Sequence, residues 1–417
     1  MTLLHSSITH LDLGKPEHVN SGSSALSLMV DIVRPHLPHI ESLSLPSMMI
    51  RQTNDRDHAL IQLAAFAHLR VMRLQNVEKY PLWTTATVTM IASFPKLREL
   101  EANFGFPADV RSSLHEKKIP MGFFELRKLT LVATPPDIAA FLDATDPPCL
   151  DSLTMVVSER RTAPVGRVYL STEDLERFYP LIPRCIRRIE LFLTQFHSPY
   201  ARHPSLDLSA SRLLHPVLRD LDTLREISVS VEHAAAGITD EDMRELCATW
   251  PNLTHFEFVR WHGSLSSASY YTTLPRFSTM LDFIRAHPHL VHLALPTLCV
   301  AGIPDVGTTV TAFPHVRHLR IGRLVRGTPL VPLAIALDSA FPNLDLGSVA
   351  ATQVGSLSCS EEDEEDDGYS QQSDRDDDTV TVECELILRA ALLALQTSRR
   401  SQPRVCKMTD GRTPALS

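Results

Sequence analysis

Cysteine pairs, basic charge and long apolar runs are all scarce in this chain of 417 residues. The 7 cysteines are scattered, their number is odd, and no two have the Cys-x-x-Cys spacing of disulfide or zinc motifs. A disulfide-stapled secreted domain is therefore not expected, and reduced thiols fit a cytoplasmic or nuclear protein. The N-terminus also lacks the basic and apolar segments of a secretory signal.

Positive charge is in short supply, since 40 basic residues face 49 acidic ones and the formal net charge is −9. Much of the acidic excess lies in Glu361–Asp367 and Asp374–Asp378. Nucleic-acid binding needs a basic surface, so we expect no nucleic-acid partner. The apolar stretch Leu386–Leu395 contains Arg389 and is too short to span a bilayer, so we expect no membrane partner either.

Catalytic and cofactor motifs are missing too. The chain contains no Gly-x-Ser-x-Gly, phosphate-binding loop, dinucleotide fingerprint or His-Glu-x-x-His sequence. Scattered serine, histidine and aspartate residues leave a dispersed catalytic triad open as an alternative, although no spacing favours one. We therefore expect no enzyme activity, no catalytic residues and no cofactor.

What the chain has in abundance is one short leucine-centred phrase. Copies occur at Phe94–Leu100, Phe124–Leu131, Trp250–Phe258, His287–Leu295 and Phe313–Ile321. The first apolar position of successive copies falls at residues 8, 40, 69, 97, 126, 150, 186, 224, 253, 290, 316 and 344. The spacing varies from 24 residues (126 to 150) to 38 (186 to 224), which indicates leucine-rich repeats with insertions.

This repeat predicts an α/β fold: a leucine-rich-repeat solenoid, or horseshoe, with a concave parallel sheet and return helices. Ser171, Thr239 and Ser278 are suitable N-cap residues, so helices are expected to begin near them. Prolines such as Pro251 and Pro288 then end a helix just before the next strand, because proline disfavours helix at the preceding residue.

The repeat pattern divides the chain into four parts. Residues 1–349 form the predicted leucine-rich-repeat domain. Residues 350–379 are acidic and serine-rich, and we expect a disordered linker there. A C-terminal helix is expected over residues 380–398, followed by a flexible tail over 399–417.

Two smaller features of this organisation bear on binding. The expected C-terminal helix has Leu386, Ala390 and Leu393 on one apolar stripe, so it either caps the array or remains a separate amphipathic segment. Residues 158–170 and 195–211 are interpreted as inserted loops. They are either simple loop expansions or contacts to a partner, since exposed loops often carry recognition.

The aromatic-Pro-x-Leu phrases at Phe94, Trp250, Phe313 and Phe341, together with the irregular unit lengths, resemble the leucine-rich-repeat region of fungal F-box proteins. The resemblance covers roughly residues 1–349 and implies a horseshoe that recognises substrates for a ubiquitin ligase. Such proteins begin with an F-box, but here the repeat already begins near Ile8, so we expect no F-box within this sequence. The chain is then either a truncated or mis-started product or a repeat-only relative. The adaptor of a cullin ligase is therefore an expected partner only if an F-box lies upstream.

Alternation of side chains along each strand predicts which residues face outward on the concave sheet. These are the second and fourth residues after the first leucine of each repeat. The predicted binding residues in this set are Arg73, Glu99, Glu101, Lys128, Arg188, Glu190, Glu226, His255, Glu257, His292, His318 and Arg320.

Histidines at equivalent repeat positions are expected to form a ladder across the sheet: His255, His292 and His318. Such a ladder would make binding pH-sensitive, because histidine titrates near neutrality. Zinc needs about four converging ligands, and no cysteine has ligand spacing to these histidines. We therefore interpret them as residues of the exposed face and predict no metal site.

The function indicated by these features is a protein–protein interaction scaffold with an unknown partner on the concave face. A partner with basic contacts near the middle of the array and an acidic contact near its C-terminal end would complement the charge pattern. Two alternatives stay open. In the first, the outward residues serve only to keep the exposed sheet soluble. In the second, the protein is a nuclear or chromatin-associated binder whose acidic segment binds basic proteins.

Overall fold

One parallel β-sheet contains all the described strands, from His10 to Leu324. The computed structural model describes residues 8–12, 33, 36–37, 39–46, 63, 66–75, 82–116, 119, 122–157, 172–193, 210–214, 216–232, 237–261, 274–299, 303, 310–324, 330–345 and 390–399. The described strands are β1 His10–Asp12, β2 Ser42–Pro46, β3 Val71–Gln75, β4 Glu99–Asn103, β5 Lys128–Ala133, β6 Ser152–Val157, β7 Arg188–Leu193, β8 Glu226–Glu232, β9 His255–Trp261, β10 His292–Leu298 and β11 His318–Leu324.

The eleven strands pair in strict chain order from β1 to β11, and every pairing is parallel. Each strand begins two residues after the first apolar residue of its repeat, for example β4 after Leu97 and β10 after Leu290. This arrangement confirms the predicted α/β class and the parallel sheet, because a repeat with one strand per unit stacks its strands in sequence order.

Backbone hydrogen bonds at the start of each strand explain the constant register. The carbonyl of Arg70 accepts from the amides of Arg98 at 2.8 Å and Glu99 at 3.0 Å. One repeat later, the carbonyl of Arg98 accepts from Arg127 at 2.9 Å and Lys128 at 3.0 Å. The same pattern recurs along the array, so the residue just before each strand fixes the position of the next one.

Helices occupy the return segments between strands. They are α1 Thr85–Ala92, α2 Ala108–Glu116, α3 Pro135–Thr145, α4 Thr172–Phe178, α5 Ala210–Leu213, α6 Pro216–Arg219, α7 Asp240–Leu246, α8 Phe277–Ala286, α9 Leu330–Ala340 and α10 at residues 390–399. Residues Tyr179–Leu181 form a short 3₁₀ turn after α4.

The three helices predicted from their N-cap residues are present as α4, α7 and α8. Thr239 caps α7 as expected: its hydroxyl accepts from the Asp242 amide at 3.0 Å. In return the Asp242 carboxylate accepts from the Thr239 amide at 2.8 Å, which completes a capping box. The start of α8 differs slightly, because Arg276 rather than Ser278 is its N-cap and makes no side-chain cap bond.

The core lies between the sheet and the helices. Leu97, Leu126 and Leu290, the first apolar residues of three repeats, are fully buried, as predicted. The aromatic residue three positions earlier is buried too, as at Phe94 and Trp250. The amide of Leu97 donates to the carbonyl of Phe94, so the aromatic-Pro phrase forms the tight turn that leads into the strand.

Helix α10 packs on the C-terminal end of the array. Leu392 is buried, and the side-chain amide of Gln396 donates to the carbonyl of Leu344 at 3.1 Å. Arg399 donates to the carbonyl of Asp338 at 3.1 Å and also forms an ion pair with its carboxylate. The predicted helix is therefore present over 390–399, and it docks on the last repeat rather than standing apart.

The apolar stripe predicted for this helix was wrong by about one residue. Leu393 is 57% exposed and Ala390 is exposed, whereas Leu392 and Gln396 face the array. The contact with the Leu344 carbonyl explains the rotation, because it requires Gln396 to point inward. Leu386 lies outside the described residues.

Several other predicted segments lie outside the described residues. They are the loops 158–170 and 195–209, the acidic linker and the tail from 400 onward. Of the loop predicted over 195–211, only its last two residues are described, and they begin α5. Among the helices that the structure describes, none is long and apolar enough to cross a membrane.

Candidate functional site

The sheet has one face toward the core and one face toward solvent, which we call the open face. Alternation along β4 shows the difference: Leu100 and Ala102 are buried, whereas Glu99, Glu101 and Asn103 are partly exposed. All the predicted binding residues lie on the open face, at the first or third position of their strands. They form three groups, on β3–β4, β7–β8 and β9–β11, and Lys128 of β5 lies beside the first group.

The first group is a triad of charges on β3 and β4. The guanidinium of Arg73 lies 3.9 Å from the carboxylate of Glu99 and 3.7 Å from that of Glu101. Lys128 follows on β5, directly beside Glu99 in the register. Two of the predicted binding residues, Glu99 and Glu101, are therefore already close to a positive charge of the chain itself.

The second group centres on Arg188 of β7. Its guanidinium pairs with Glu190 on the same strand, at 2.9 Å from Nε, and with Glu226 on β8 at 3.2 Å. The second carboxylate oxygen of Glu190 accepts from the hydroxyl of Thr154 at 3.0 Å. One arginine thus links acids on two strands, and the net charge of this group is close to −1.

The third group contains the histidine row, His255, His292 and His318, which lie side by side on β9, β10 and β11. The rings of His255 and His292 stack with centroids 4.0 Å apart and planes 10° apart. The rings of His292 and His318 are 5.8 Å apart. The predicted ladder is confirmed, since parallel strands in register place equivalent repeat positions next to one another.

Glu257 is the acid at the centre of the third group. Its carboxylate accepts from the Ser228 hydroxyl at 3.1 Å, and it lies 3.6 Å from His255 Nε2 and 3.7 Å from the Arg320 guanidinium. Arg320 is two strands away and reaches across Ala294, whose small side chain leaves room for it. The adjacent His255 ring is the main cause that lowers the pKa of Glu257, and together with the Ser228 hydroxyl it outweighs burial, which raises this pKa.

His292 lies in the middle of the row, and its pKa is strongly shifted. Burial, together with the neighbouring His255, lowers the pKa of His292 to about 4. The ring is therefore neutral at physiological pH, so His292 does not supply the pH sensitivity near neutrality that was predicted for the row. Its Nε2 atom is buried and has no hydrogen-bond partner among the described residues.

The sequence reasoning missed a row of arginines along the side of the sheet where the strands begin, which we call the edge of the open face. The residue just before the strand is an exposed arginine in repeats across the whole array, at Arg70, Arg98, Arg127, Arg187, Arg225 and Arg317. Some of them pair with acids, such as Arg70 with Glu41 at 3.4 Å and Arg187 with Asp151 at 3.4 Å. Alignment of the repeat phrases would have shown this position, since it is one residue after each first leucine.

No protein-family model matches this chain, and no curated protein is significantly similar to it in sequence.

Proposed function

We propose that this protein is a non-enzymatic interaction scaffold that binds a protein partner on the open face of its sheet. In this proposal the chain is a leucine-rich-repeat horseshoe, similar to the substrate-recognition part of F-box ubiquitin-ligase receptors. The observation that carries the proposal is the open face itself. It runs over eleven parallel strands and presents polar and charged side chains at regular repeat positions.

The ion pairs on this face suit a binding surface. Its charged side chains are well exposed to solvent: 43% for Arg73, 38% for Glu101, 50% for Arg188 and 40% for Glu226. Pairs of this kind contribute only about 0–1 kcal/mol each to stability. A partner can therefore replace them with its own charges at small cost, and the existing pairs hold the side chains in position beforehand.

The observed ion pairs change the charge that we expect on a complementary partner. The acids of the open face already have basic neighbours within the chain, whereas the edge beside it carries the exposed arginine row. A partner that lays polar side chains over the face and acidic side chains along that edge is complementary to both.

Site-specific photo-cross-linking with the full chain tests the location of the binding surface. A photoreactive residue at Thr130 lies on the open face, and one at Ser112 lies on the exposed side of α2 as a matched control. We expect partner cross-links from Thr130 and not from Ser112. Equal cross-linking from both positions, or cross-links from Ser112 alone, contradicts the proposal.

Two further arms separate the alternatives. Purified Skp-type adaptor is expected to bind only a form of the chain that carries an F-box, so an upstream F-box with adaptor binding supports the ligase role. Deletion of residues 356–378 removes the acidic segment. If that deletion abolishes partner binding while Thr130 substitutions do not, the acidic-tail alternative replaces the scaffold proposal.

A further inference from the structure

Three potential metal ligands come together in the third group of the open face. His255 and Glu257 are two residues apart on β9, so their side chains share a face, and His292 lies directly opposite His255 on β10. One ligand atom from each of these side chains lies within 4.8 Å of the other two. All three are half-buried, which limits competition from bulk water.

We propose that His255, Glu257 and His292 bind a divalent transition-metal ion of the zinc class on the open face. Two imidazole nitrogens and one carboxylate oxygen are the ligands that zinc prefers, and they disfavour magnesium or calcium, which take oxygen donors. Three protein ligands leave one position of a tetrahedral ion open. A water molecule or a side chain of a bound protein fills it.

The distances allow closure around an ion with side-chain movement alone. Bonds of 2.0–2.2 Å to a tetrahedral zinc imply ligand atoms about 3.4 Å apart. His255 Nε2 and Glu257 Oε2 are already 3.6 Å apart. The two histidine rings are stacked, so at least one must rotate to direct its nitrogen at the ion.

The hydrogen bonding of His292 favours that movement. Its Nε2 is buried and has no hydrogen-bond partner in the described part of the chain, so ligation breaks no bond there. A buried nitrogen without a partner is a costly feature that a bound ion would satisfy. The strands themselves are fixed by the register, so only side-chain torsions change.

Arg320 is the group that opposes the ion. Its guanidinium lies 3.7 Å from Glu257, the only anionic ligand of the three, and a cation at the site must compete with it. This competition gives the proposal a specific signature. Removing the charge of Arg320 should strengthen metal binding, whereas removing an arginine elsewhere on the open face should not.

This site stands independently of the proposed scaffold function. A partner side chain is one candidate for the open position, but the test below uses zinc and cobalt ions alone. Failure of metal binding therefore leaves the scaffold proposal standing, and failure to find a partner on the open face leaves the metal site standing.

The test is zinc titration of the purified, chelator-treated full chain by isothermal calorimetry, followed by cobalt(II) absorption spectra. We expect one zinc ion per chain for the wild type. His255→Asn and His292→Asn should each weaken this binding by more than about tenfold, since loss of even an outer-shell contact often costs that much. His318→Asn is the matched control from the same row and should weaken it far less.

A second pair of variants tests the competition. Arg320→Met should tighten zinc binding by about two- to fivefold, the range expected for losing a partly exposed ion-pair competitor. Arg188→Met removes a comparable arginine from another group and should leave the affinity unchanged. Because these variants keep all three ligands, they also serve if a histidine variant fails to fold.

Several outcomes overturn the proposal. They are a wild-type chain that takes up no zinc, histidine variants that bind as well as the wild type, and an Arg320→Met variant with unchanged affinity. A cobalt spectrum with a thiolate charge-transfer band also overturns it, because such a band places the ion on a cysteine. Circular dichroism melts of every variant confirm that the compared chains are folded.

Discussion

At the scale of single residues, His287 joins two consecutive repeats through a buried ring. Its Nδ1 lies 2.8 Å from the carbonyl of Phe283 and its Nε2 lies 2.9 Å from the carbonyl of Thr249. A neutral imidazole can donate only one of these bonds, and only the charged ring donates both. Burial lowers the pKa of His287 nevertheless and outweighs the two carbonyl contacts, which raise it.

This lowered pKa predicts a stability that falls with acidification. The unfolded chain binds the proton of this histidine first, near pH 6.5, so stability is present above about that pH and is lost as the pH falls toward the folded pKa. We expect the free energy of unfolding in urea to be lower at about pH 5.5 than at about pH 7.5, and His287→Gln to reduce this difference.

His289 provides the control for the pH experiment, because it is an exposed histidine of the same turn. The variant His289→Gln should keep the pH dependence of the wild type. If His287→Gln and the wild type lose the same free energy between the two pH values, His287 is not the group that titrates with folding.

At the scale of elements, the end of the array depends on α10. In a stack of repeats, a terminal unit needs a cap where no neighbouring unit covers its apolar side. Leu392 is 1% exposed, and Gln396 satisfies the carbonyl of Leu344. Arg399 adds an ion pair with Asp338 on α9, so contacts near both ends of the described helix hold it in place.

Two neighbouring leucines of this helix test the cap. Leu392→Ala should destabilise the end of the array by about 2–5 kcal/mol, the cost of truncating a buried leucine. Leu393→Ala changes a side chain that is 57% exposed, and should alter stability by less than about 0.5 kcal/mol. Hydrogen exchange of the α9 amides reports the effect. Equal protection in the two variants would show that α10 does not cap the array.

The same elements show what the sequence could predict. Strand positions followed from the repeat, because Leu97 or Leu290 marks the turn in which the register is set. The face of α10 did not follow, since periodicity alone contained no information about the Leu344 carbonyl that Gln396 satisfies. For the candidate site, the histidine row was predictable from equivalent repeat positions. The reach of Arg320 across Ala294 was not, because it depends on two strands at once.

At the scale of the whole molecule, charge is divided between a self-paired open face and an acidic segment, Glu361–Asp367, outside the described residues. Within the open face, two acids that the sequence treated alike, Glu226 and Glu257, differ in their surroundings. Glu226 is 40% exposed, and among the described residues its one ion pair is with Arg188, which keeps Glu190 as a second partner. Glu257 is 23% exposed and contacts Ser228, His255 and Arg320.

Reversal of these two charges should therefore have different consequences. Glu226→Lys loses one exposed pair, so its melting temperature should stay near that of the wild type, since such pairs contribute about 0–1 kcal/mol. Glu257→Lys puts a cation beside Arg320 and leaves the Ser228 hydroxyl without its acceptor, so its melting temperature should fall. Calorimetric melts of the two single variants measure this difference.

Only Glu226→Lys is therefore a clean probe of binding through the open face. If a partner uses this face, the variant should weaken its affinity while the melting temperature is preserved, because the reversal changes the central charge and not the core. Glu241→Lys makes the same change on α7, where the side chain is 77% exposed, and should leave the affinity intact. If both variants bind the partner as the wild type does, the central group is not part of the contact. The arginine row along the edge, starting with Arg127 and Arg225, then becomes the surface to test, because it is exposed over the same central strands.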